Sequence, residues 1–291
     1  MKHGCHNPLP PLPKQTVSAK VFGIGAIGLS VLVAPIHPWA AVFPLLLFLV
    51  LCFTAPLIPS FGFFLPIICR GPSEKQAVAL TFDDGPHPIS TPDVLALLAS
   101  RGVKATFFVN GRRVEQFPDL IRRIVSQGHT IGNHTYSHDN LIMLKSTRAL
   151  KNEIEKTQQV LHDLGVRPLT FRPPVGVTNP KLGPVLEQVG MYTVNFSCRA
   201  GDRGNRRIHD ISDRILGKLR SGDIIMLHDT PPRNGGTIEE WLGQVDSIMA
   251  GIKKKNLDIV PLAELIDRPV MGIEMQTLEN EGRRASRSSS N

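Results

Sequence analysis

The chain has 291 residues, a formal net charge of +8, 42% hydrophobic residues and four cysteines. Its ordinary apolar content excludes a wholly disordered chain, and its length suffices for one large domain or two small ones. Nucleic-acid binding is not indicated, because no stripe of Lys and Arg is interleaved with aromatic residues. The cysteines lack the C-x-x-C spacing of a zinc ribbon or a redox pair.

The first feature along the chain is an uncharged apolar region. A segment of residues 1–20 precedes two apolar stretches, 21–34 and 39–58, and no charged residue lies between Lys20 and Arg70. About 20 apolar residues span a bilayer as a helix. The region 21–70 therefore predicts one or two transmembrane helices, with a hairpin through the proline-rich break favoured and a buried core helix as the alternative.

The charges that flank this region predict its orientation. Lys14 and Lys20 precede it, and Arg70 and Lys75 follow it. For a hairpin, the positive-inside rule places both ends, and the domain that follows, on the cytoplasmic face. A single span would reverse that answer. The prediction is a membrane location with the lipid bilayer as a partner.

Beyond residue 76, short apolar runs alternate with amphipathic stretches. The predicted strands are 77–82, 105–110, 130–133, 191–196, 223–228 and 258–261. The predicted helices are 91–100, 118–127, 146–164, 180–188, 209–219 and 237–254. This alternation predicts a parallel sheet covered by helices. With about seven units, a (β/α) barrel over 71–268 is favoured over a doubly wound sheet, and the basic residues of 269–291 predict a disordered tail.

Polar clusters recur along the predicted domain. Asp83-Asp84, the segment 132–138 (GNHTYSH) and the segment 225–229 (IMLHD) lie where predicted strands end, and the segment 170–176 (TFRPPVG) follows the third predicted helix, 146–164, and is expected at the same end of the sheet. In (β/α) barrels, chemistry gathers at the carboxyl ends of the strands. A purely structural explanation does not predict that titratable groups recur at the same end of several strands.

His134 and His138 form a His-x-x-x-His pair that can place two imidazoles on one ion. With Asp84 from another strand end they make a 2-His-1-carboxylate set, which leaves coordination positions open. Zinc is the default divalent metal, with cobalt, nickel and manganese as alternatives. A pair of surface histidines without a metal is the competing interpretation.

The remaining titratable groups fit an acid–base reaction. Asp83 can act as a base toward water, although an Asp-Asp pair can equally cap a helix. His228 can protonate a leaving group, while a lone histidine at a strand end is usually structural. Arg172 is the expected charge partner of Asp83, or else forms a surface salt bridge. Asp202 is the expected partner that orients His228.

This combination predicts metal-assisted hydrolysis of an amide, with the backbone N–H of Val175 near the developing oxyanion. Neither a G-x-S-x-G elbow nor a Walker A loop is present. The alternative from a different class is a catalytically inactive sugar-binding or scaffold membrane protein on the same barrel.

Four motifs in order, TFDDGP, HTYSH, RPPVG and IMLHD, resemble those of the polysaccharide deacetylases, carbohydrate esterase family 4, which share the NodB homology domain. The resemblance covers residues 78–266. It implies a distorted (β/α) barrel that removes N-acetyl groups from amino sugars of a polysaccharide or a lipid-linked glycan. It also implies that Asp83 is the base and His228 the acid, and that the metal ligands are Asp84, His134 and His138.

Two departures from the family pattern concern the substrate. Val175 stands where the family often has tyrosine, and Phe196 and Arg203 flank Asp202 in place of the usual tryptophan. The residues assigned to substrate binding are Pro174, Val175, Gly176 and Leu227. The domain is near-neutral overall and has no evident surface for an anionic polymer. An N-acetylated glycan is the expected partner, with no nucleic acid and no obligate protein partner.

Overall fold

A nine-stranded sheet forms the body of the molecule in this computed structural model, which describes residues 18–273. The strands are β1 Ile67–Ile68, β2 Ala77–Asp83, β3 Thr106–Val109, β4 Thr130–Asn133, β5 Val166–Pro168, β6 Thr170–Phe171, β7 Tyr192–Val194, β8 Cys198–Arg199, β9 Ile224–His228, β10 Asp258–Ile259 and β11 Met271–Ile273. The order in the sheet is β1-β7-β6-β4-β3-β2-β9-β8, with β10 beside β2. All of these pairings are parallel, whereas β11 and β5 form a separate antiparallel pair.

Ten α-helices connect and cover the strands of the described region. They are α1 Ala19–Val33, α2 Val42–Thr54, α3 Ser90–Ser100, α4 Gly111–Gln116, α5 Pro118–Ser126, α6 Thr147–His162, α7 Leu182–Gln188, α8 Ile211–Leu216, α9 Ile238–Lys254 and α10 Leu262–Leu265. The longest, α9, buries Trp241, Val245, Ile248 and Ile252, which recur at the spacing of one helix face. Thr237 and Glu240 form a capping box that fixes its start.

The predicted parallel α/β architecture is confirmed, and its closure is incomplete. Within residues 18–273 no strand pairing joins β1 to β8, so the sheet curves as an open barrel between these two edges. All six predicted strands are present. The five strands that the sequence did not predict are two or three residues long, which is too short for side-chain alternation to be read.

The predicted transmembrane region and the membrane location are wrong. Among the helices of residues 18–273, none is long and apolar enough to cross a membrane. The apolar run divides into α1, with 15 residues, and α2, with 13 residues. At 1.5 Å per residue these reach about 20 Å, well short of the ~30 Å hydrocarbon core. The predicted cytoplasmic-face location is overturned with them, and the prediction of a bilayer partner loses the spans on which it was based.

The two N-terminal helices instead join the segment that leads into β1. Phe22 of α1 and Phe48 of α2 both contact the ring of Phe63, at centroid distances of 6.5 and 6.4 Å. The carbonyl of Pro59 accepts a hydrogen bond from Asn195 Nδ2 at 2.7 Å, just beyond the end of β7. The N-terminal segment therefore contacts the edge of the sheet that carries the polar motifs.

Regular structure continues beyond residue 268, where the predicted barrel domain ends. Residues 271–273, assigned to the basic tail, form β11 and pair with Val166–Pro168, and Val270 is buried. The rest of the predicted tail, 274–291, and the first 17 residues lie outside the described residues.

Candidate active site

Four strands, in two neighbouring pairs on either side of β3, deliver polar side chains to one edge of the sheet. Asp83 ends β2 and lies opposite His228, the last residue of β9. His134 directly follows β4 and Arg172 directly follows β6, and these two strands are neighbours. The fully buried run Ala77–Asp83 explains the arrangement, because an apolar strand in the middle of the sheet can present polar groups only where it ends.

A cavity of about 710 Å³ opens at this edge. Of the sequence-predicted site residues, its lining contains Asp83, Asp84, His134, His138, Val175, Gly176, Asp202 and His228. Residues separated by up to 145 positions thus converge on one volume. Arg172 lies behind the wall, with no exposed surface.

Asp84, His134 and His138 form a compact group of potential metal ligands. Oδ1 of Asp84 lies 3.0 Å from Nε2 of His138 and 3.5 Å from Nε2 of His134, and one donor atom of each residue lies within 4.8 Å of the others. Oδ1 of Asp84 is buried and has no hydrogen-bond partner among the described residues. An orphaned carboxylate oxygen facing two imidazole nitrogens fits a divalent cation.

Backbone geometry supports a special role for this group. Asp84 and His138 have φ angles of 71° and 56°, in the left-handed region that side-chain-bearing residues seldom adopt. Such conformations cost free energy and persist where the surrounding structure enforces them. Here they turn two potential ligands toward a third.

The tautomer of His134 follows from its second ring nitrogen. Nδ1 lies 2.7 Å from the carbonyl oxygen of Arg172, which can only accept, so Nδ1 carries the proton. Nε2 then presents a lone pair toward Asp84. Burial lowers the pKa of His134 to about 4, which keeps the imidazole neutral at physiological pH.

Arg172 is a buried hub rather than a surface salt bridge. Its Nη1 donates to Oδ1 of Asp83 at 2.6 Å and to Oγ1 of Thr81 at 2.7 Å. Its other nitrogens donate to backbone carbonyls, and the guanidinium lies 3.9 Å from the ring centroid of Phe108. Because Oδ1 is occupied, the free oxygen of Asp83 is Oδ2, which lies 4.0 Å from Nε2 of His134.

His228 has the opposite electrostatic environment. Its Nδ1 lies 2.7 Å from Oδ2 of Asp202. Burial alone would lower the pKa of His228, but the hydrogen bond and charge of Asp202 outweigh that penalty and raise the pKa to about 9. Burial likewise opposes the charge on Asp202, yet His228 holds the pKa of that carboxyl below its usual value. The pair is therefore ionic at neutral pH.

The four residues assigned to substrate binding divide into two sets. Val175, with φ 54° and 53% exposure, and Gly176 line the cavity. Leu227 does not fit its prediction, because it is buried in the hydrophobic core while Met226 and His228 on either side face the cavity. Pro174 is also buried and lies outside the cavity lining.

Sequence reasoning missed the arginines of the cavity. Its lining includes five of them, Arg199, Arg203, Arg206, Arg207 and Arg233. The signal was present as four arginines within the nine residues 199–207, beginning at the end of β8. The near-neutral net charge of the domain concealed it, because a net charge does not show where along the chain the arginines lie.

Comparisons with known proteins agree with the geometry. A family model described as polysaccharide deacetylase matches residues 70–194. A peptidoglycan-N-acetylglucosamine deacetylase of Bacillus cereus is 38% identical over 197 residues, covering 67% of this chain and 70% of that protein. A chitooligosaccharide deacetylase of Azorhizobium caulinodans is 34% identical over 181 residues, covering 62% and 86%. The crystal structure of the Bc1960 peptidoglycan N-acetylglucosamine deacetylase in complex with a hydroxamate matches with a TM-score of 0.64 and 35% identity, covering 70% of this chain and 94% of that one.

Proposed function

Because the chain belongs to the polysaccharide deacetylase family, and so is a hydrolase of non-peptide carbon–nitrogen bonds, we propose that it removes N-acetyl groups from the amino sugars of a glycan by metal-dependent hydrolysis. The observation that carries the proposal is the convergence of Asp84, His134 and His138 beside the base and the acid. The relatives named for peptidoglycan and for chitooligosaccharides indicate the substrate class, an N-acetylated amino-sugar glycan.

Asp84, His134 and His138 would hold the metal, with zinc as the expected ion and cobalt, nickel or manganese as alternatives. Two imidazoles and one carboxylate are suited to these ions and leave positions open. When bound, a divalent ion polarises the amide carbonyl and makes water a better nucleophile. The N–H that His134 directs at the Arg172 carbonyl fixes the ring so that Nε2 stays available.

Two side chains at the ends of the neighbouring strands β2 and β9 transfer the protons. Oδ2 of Asp83 accepts a proton from the attacking water as the new carbon–oxygen bond forms. Nε2 of His228 donates a proton to the amide nitrogen as the carbon–nitrogen bond breaks, which yields acetate and the free amine. The raised pKa of His228, about 9, keeps it protonated for that step.

Two further groups position these side chains, and a third is assigned to the carbonyl oxygen of the substrate. Arg172 binds Oδ1 of Asp83 and leaves Oδ2 free. Asp202 orients His228 through Nδ1 and stabilises its charge. The backbone N–H of Val175 is assigned to the oxyanion that develops on the carbonyl oxygen.

Two buried ion pairs argue against the inactive sugar-binding alternative. A protein that only binds sugar has no use for a buried Asp83–Arg172 pair or a charged His228–Asp202 pair, both of which cost desolvation free energy. We assign the catalytic domain to residues 71–273, which extends the sequence-based boundary to the end of β11.

The test measures acetate release from N-acetylated chitooligosaccharides and peptidoglycan fragments by the full-length chain. Dialysis against a chelator is expected to lower kcat/KM by roughly a hundredfold or more, and zinc should restore it. Asp84→Asn should abolish restoration, whereas Asp119→Asn, which changes an exposed aspartate outside the cavity, should leave it intact. Full activity in a sample that elemental analysis finds free of metal would overturn the proposal.

A further inference from the structure

The mouth of the active-site cavity carries a concentration of uncompensated positive charge. Its five arginines are exposed, and within residues 18–273 none of their guanidinium groups forms an ion pair with a carboxylate. The carboxylates in the same lining are Asp83, Asp84 and Asp202. Each of them already faces Arg172 or a histidine. Arg199 lies over the ring of Phe196, 5.4 Å from its centroid, but among the described residues no carboxylate neutralises any of the five charges.

The cationic surface continues into a neighbouring cavity. This second cavity, of about 490 Å³, shares Asp84, His138 and Arg233 with the first. Its lining adds Arg112 and Arg113, and Asp84 is its one carboxylate among the described residues. A glycan chain that extends from the first cavity into the second would thus meet guanidinium groups in both.

The loop that carries most of these arginines is fixed to the catalytic acid. Asn205 has no exposed surface and donates to the carbonyls of His228 and Thr230 at 3.0 and 2.6 Å. The backbone carbonyl of Asp202 accepts from Arg206 and Arg207 at 3.0 and 3.1 Å.

Arg233 joins the same assembly, since its backbone N–H donates to the Asn205 carbonyl at 2.9 Å. The arginine backbones therefore keep a set distance from His228, unlike those on a free surface loop. A single exposed arginine is ordinarily solvated and needs no ligand. Five of them around one cavity, on a backbone held by buried hydrogen bonds, form a site.

From this arrangement we infer that the substrate is an amino-sugar glycan bearing an oxyanion, a phosphate or a carboxylate, close to the N-acetylated sugar. The guanidinium fork matches both groups in geometry and charge. Phe196 and Met226 supply apolar wall for the sugar rings in the same lining. The inference rests on the proposed deacetylation and specifies its substrate. The low net charge of the whole domain hides this surface, because acidic residues elsewhere balance the sum.

The experiment compares substrates that differ only at the reducing end. The fully N-acetylated dimer and tetramer of glucosamine, here called chitobiose and chitotetraose, are tested as the 1-phosphate against the neutral sugar, and as the aldonic acid against its neutral alditol. At low salt, kcat/KM for acetate release is expected to be roughly tenfold higher for an anionic member than for its neutral partner, and the advantage should shrink in 0.5 M KCl. The phosphate and carboxylate arms distinguish the two oxyanions. Equal kcat/KM within both pairs at both lengths would overturn the inference.

Matched variants assign the preference to the cavity. The triple variant Arg203→Gln, Arg206→Gln, Arg207→Gln should bring the anionic-to-neutral ratio toward one. The control triple Arg123→Gln, Arg148→Gln, Arg214→Gln removes the same charge from exposed positions outside both cavities and should keep the ratio. An unchanged ratio in the cavity triple, or an equal loss in the control, would contradict the inference.

A binding measurement separates this inference from the proposed activity. Calorimetry on Asp83→Asn compares chitotetraose 1-phosphate with chitotetraose without turnover. If the zinc-loaded native protein releases no acetate from any substrate, the deacetylase proposal is refuted. The arginine site would still stand if the 1-phosphate binds at least about tenfold more tightly than the neutral sugar and if salt weakens that binding. Equal binding of the two sugars would refute the arginine site whatever the activity.

Discussion

The ends of β4 and β9 both bring a largely buried histidine into the same cavity, yet the two imidazoles differ in charge. Each uses Nδ1 in a 2.7 Å contact, His134 with a carbonyl oxygen and His228 with a carboxylate. The pKa of His134 falls to about 4 and that of His228 rises to about 9. Burial lowers the pKa of both, so the Nδ1 partner decides which ring stays neutral.

This difference divides the work of the site. A neutral imidazole with its proton on Nδ1 suits a metal ligand, and a charged one suits a proton donor. The same residue type serves two roles because β6 supplies a backbone carbonyl to one ring and the loop after β8 supplies Asp202 to the other. Substituting either histidine or its Nδ1 partner tests whether His134 binds metal and His228 donates the proton.

The largest effect is expected from removing the neutral histidine. His134→Gln keeps volume and polarity but removes the imidazole that faces Asp84. Bound zinc should be lost, and kcat/KM should fall by roughly a thousandfold or more, because metal binding and substrate activation fail together. Elemental analysis and acetate release provide the two measurements.

His129 provides the matched control for burial. Its side chain is as buried as that of His134, its Nδ1 accepts a hydrogen bond from Ala105 N, and burial lowers its pKa to about 4 as well. It lies outside both cavities. His129→Gln should change thermal stability while the folded fraction keeps its zinc and its kcat/KM. Full zinc occupancy in His134→Gln would contradict the assignment of His134 as the metal-binding histidine.

The next effect is a change in pH dependence at β9. In Asp202→Asn, burial acts on His228 without a charge partner, so its pKa should fall from about 9 to 6.5 or lower. The acid must be protonated, so activity is present below the pKa of His228 and is lost as the pH rises through it. The basic limb of kcat/KM should therefore move down by about two units, with a loss of roughly ten- to a hundredfold at pH 8.

Rates measured between pH 5 and 10 separate this effect from a structural one. Asp202→Glu should restore part of the high-pH activity because it restores the charge. A uniform loss across the whole range, with the basic limb unmoved, would mean that Asp202 only holds the loop through Asn205.

The sequence predicted the centre of this site because a parallel sheet imposes a strong constraint. All strands of such a sheet end at one edge, so motifs far apart in the chain must converge wherever the strands are recognised. Asp83 directly follows the predicted strand 77–82, and His228 ends the predicted strand 223–228. Arg172 follows β6, a two-residue strand that was not predicted, and its position was inferred from the motif alone.

Other features escaped prediction for identifiable reasons. The apolar run 21–70 has the composition of a membrane hairpin, and composition does not fix helix length. α1 ends at Val33, before Pro35, and α2 gives way to a 3₁₀ turn at Ala55–Leu57. The arginines of the cavity were not predicted as a site because the net charge of a domain does not indicate where its charged residues lie. Leu227 was misplaced because a motif does not state which residues of a strand face the cavity.

The smallest expected effect concerns Asp229, which follows the charged histidine of β9. It has no exposed surface, and its two oxygens accept hydrogen bonds from Ser90 Oγ at 2.7 Å and Thr91 Oγ1 at 2.5 Å. Burial outweighs these bonds and raises its pKa to about 6. The folded state therefore binds more protons than the unfolded state between about pH 4 and 6, and the free energy of unfolding falls as the pH rises through that window.

Asp229→Asn removes the charge while an amide oxygen can still accept from a hydroxyl. We expect the free energy of unfolding to be nearly unchanged at pH 4 and higher than that of the native chain by roughly 1–3 kcal/mol at pH 8, measured by urea denaturation. Asp223 is the contrast, because it is equally buried but paired with Arg70 at 2.7 Å. Asp223→Asn should destabilise the fold at pH 8 by roughly 1–3 kcal/mol. Equal destabilisation by both substitutions at pH 8 would contradict the raised pKa assigned to Asp229.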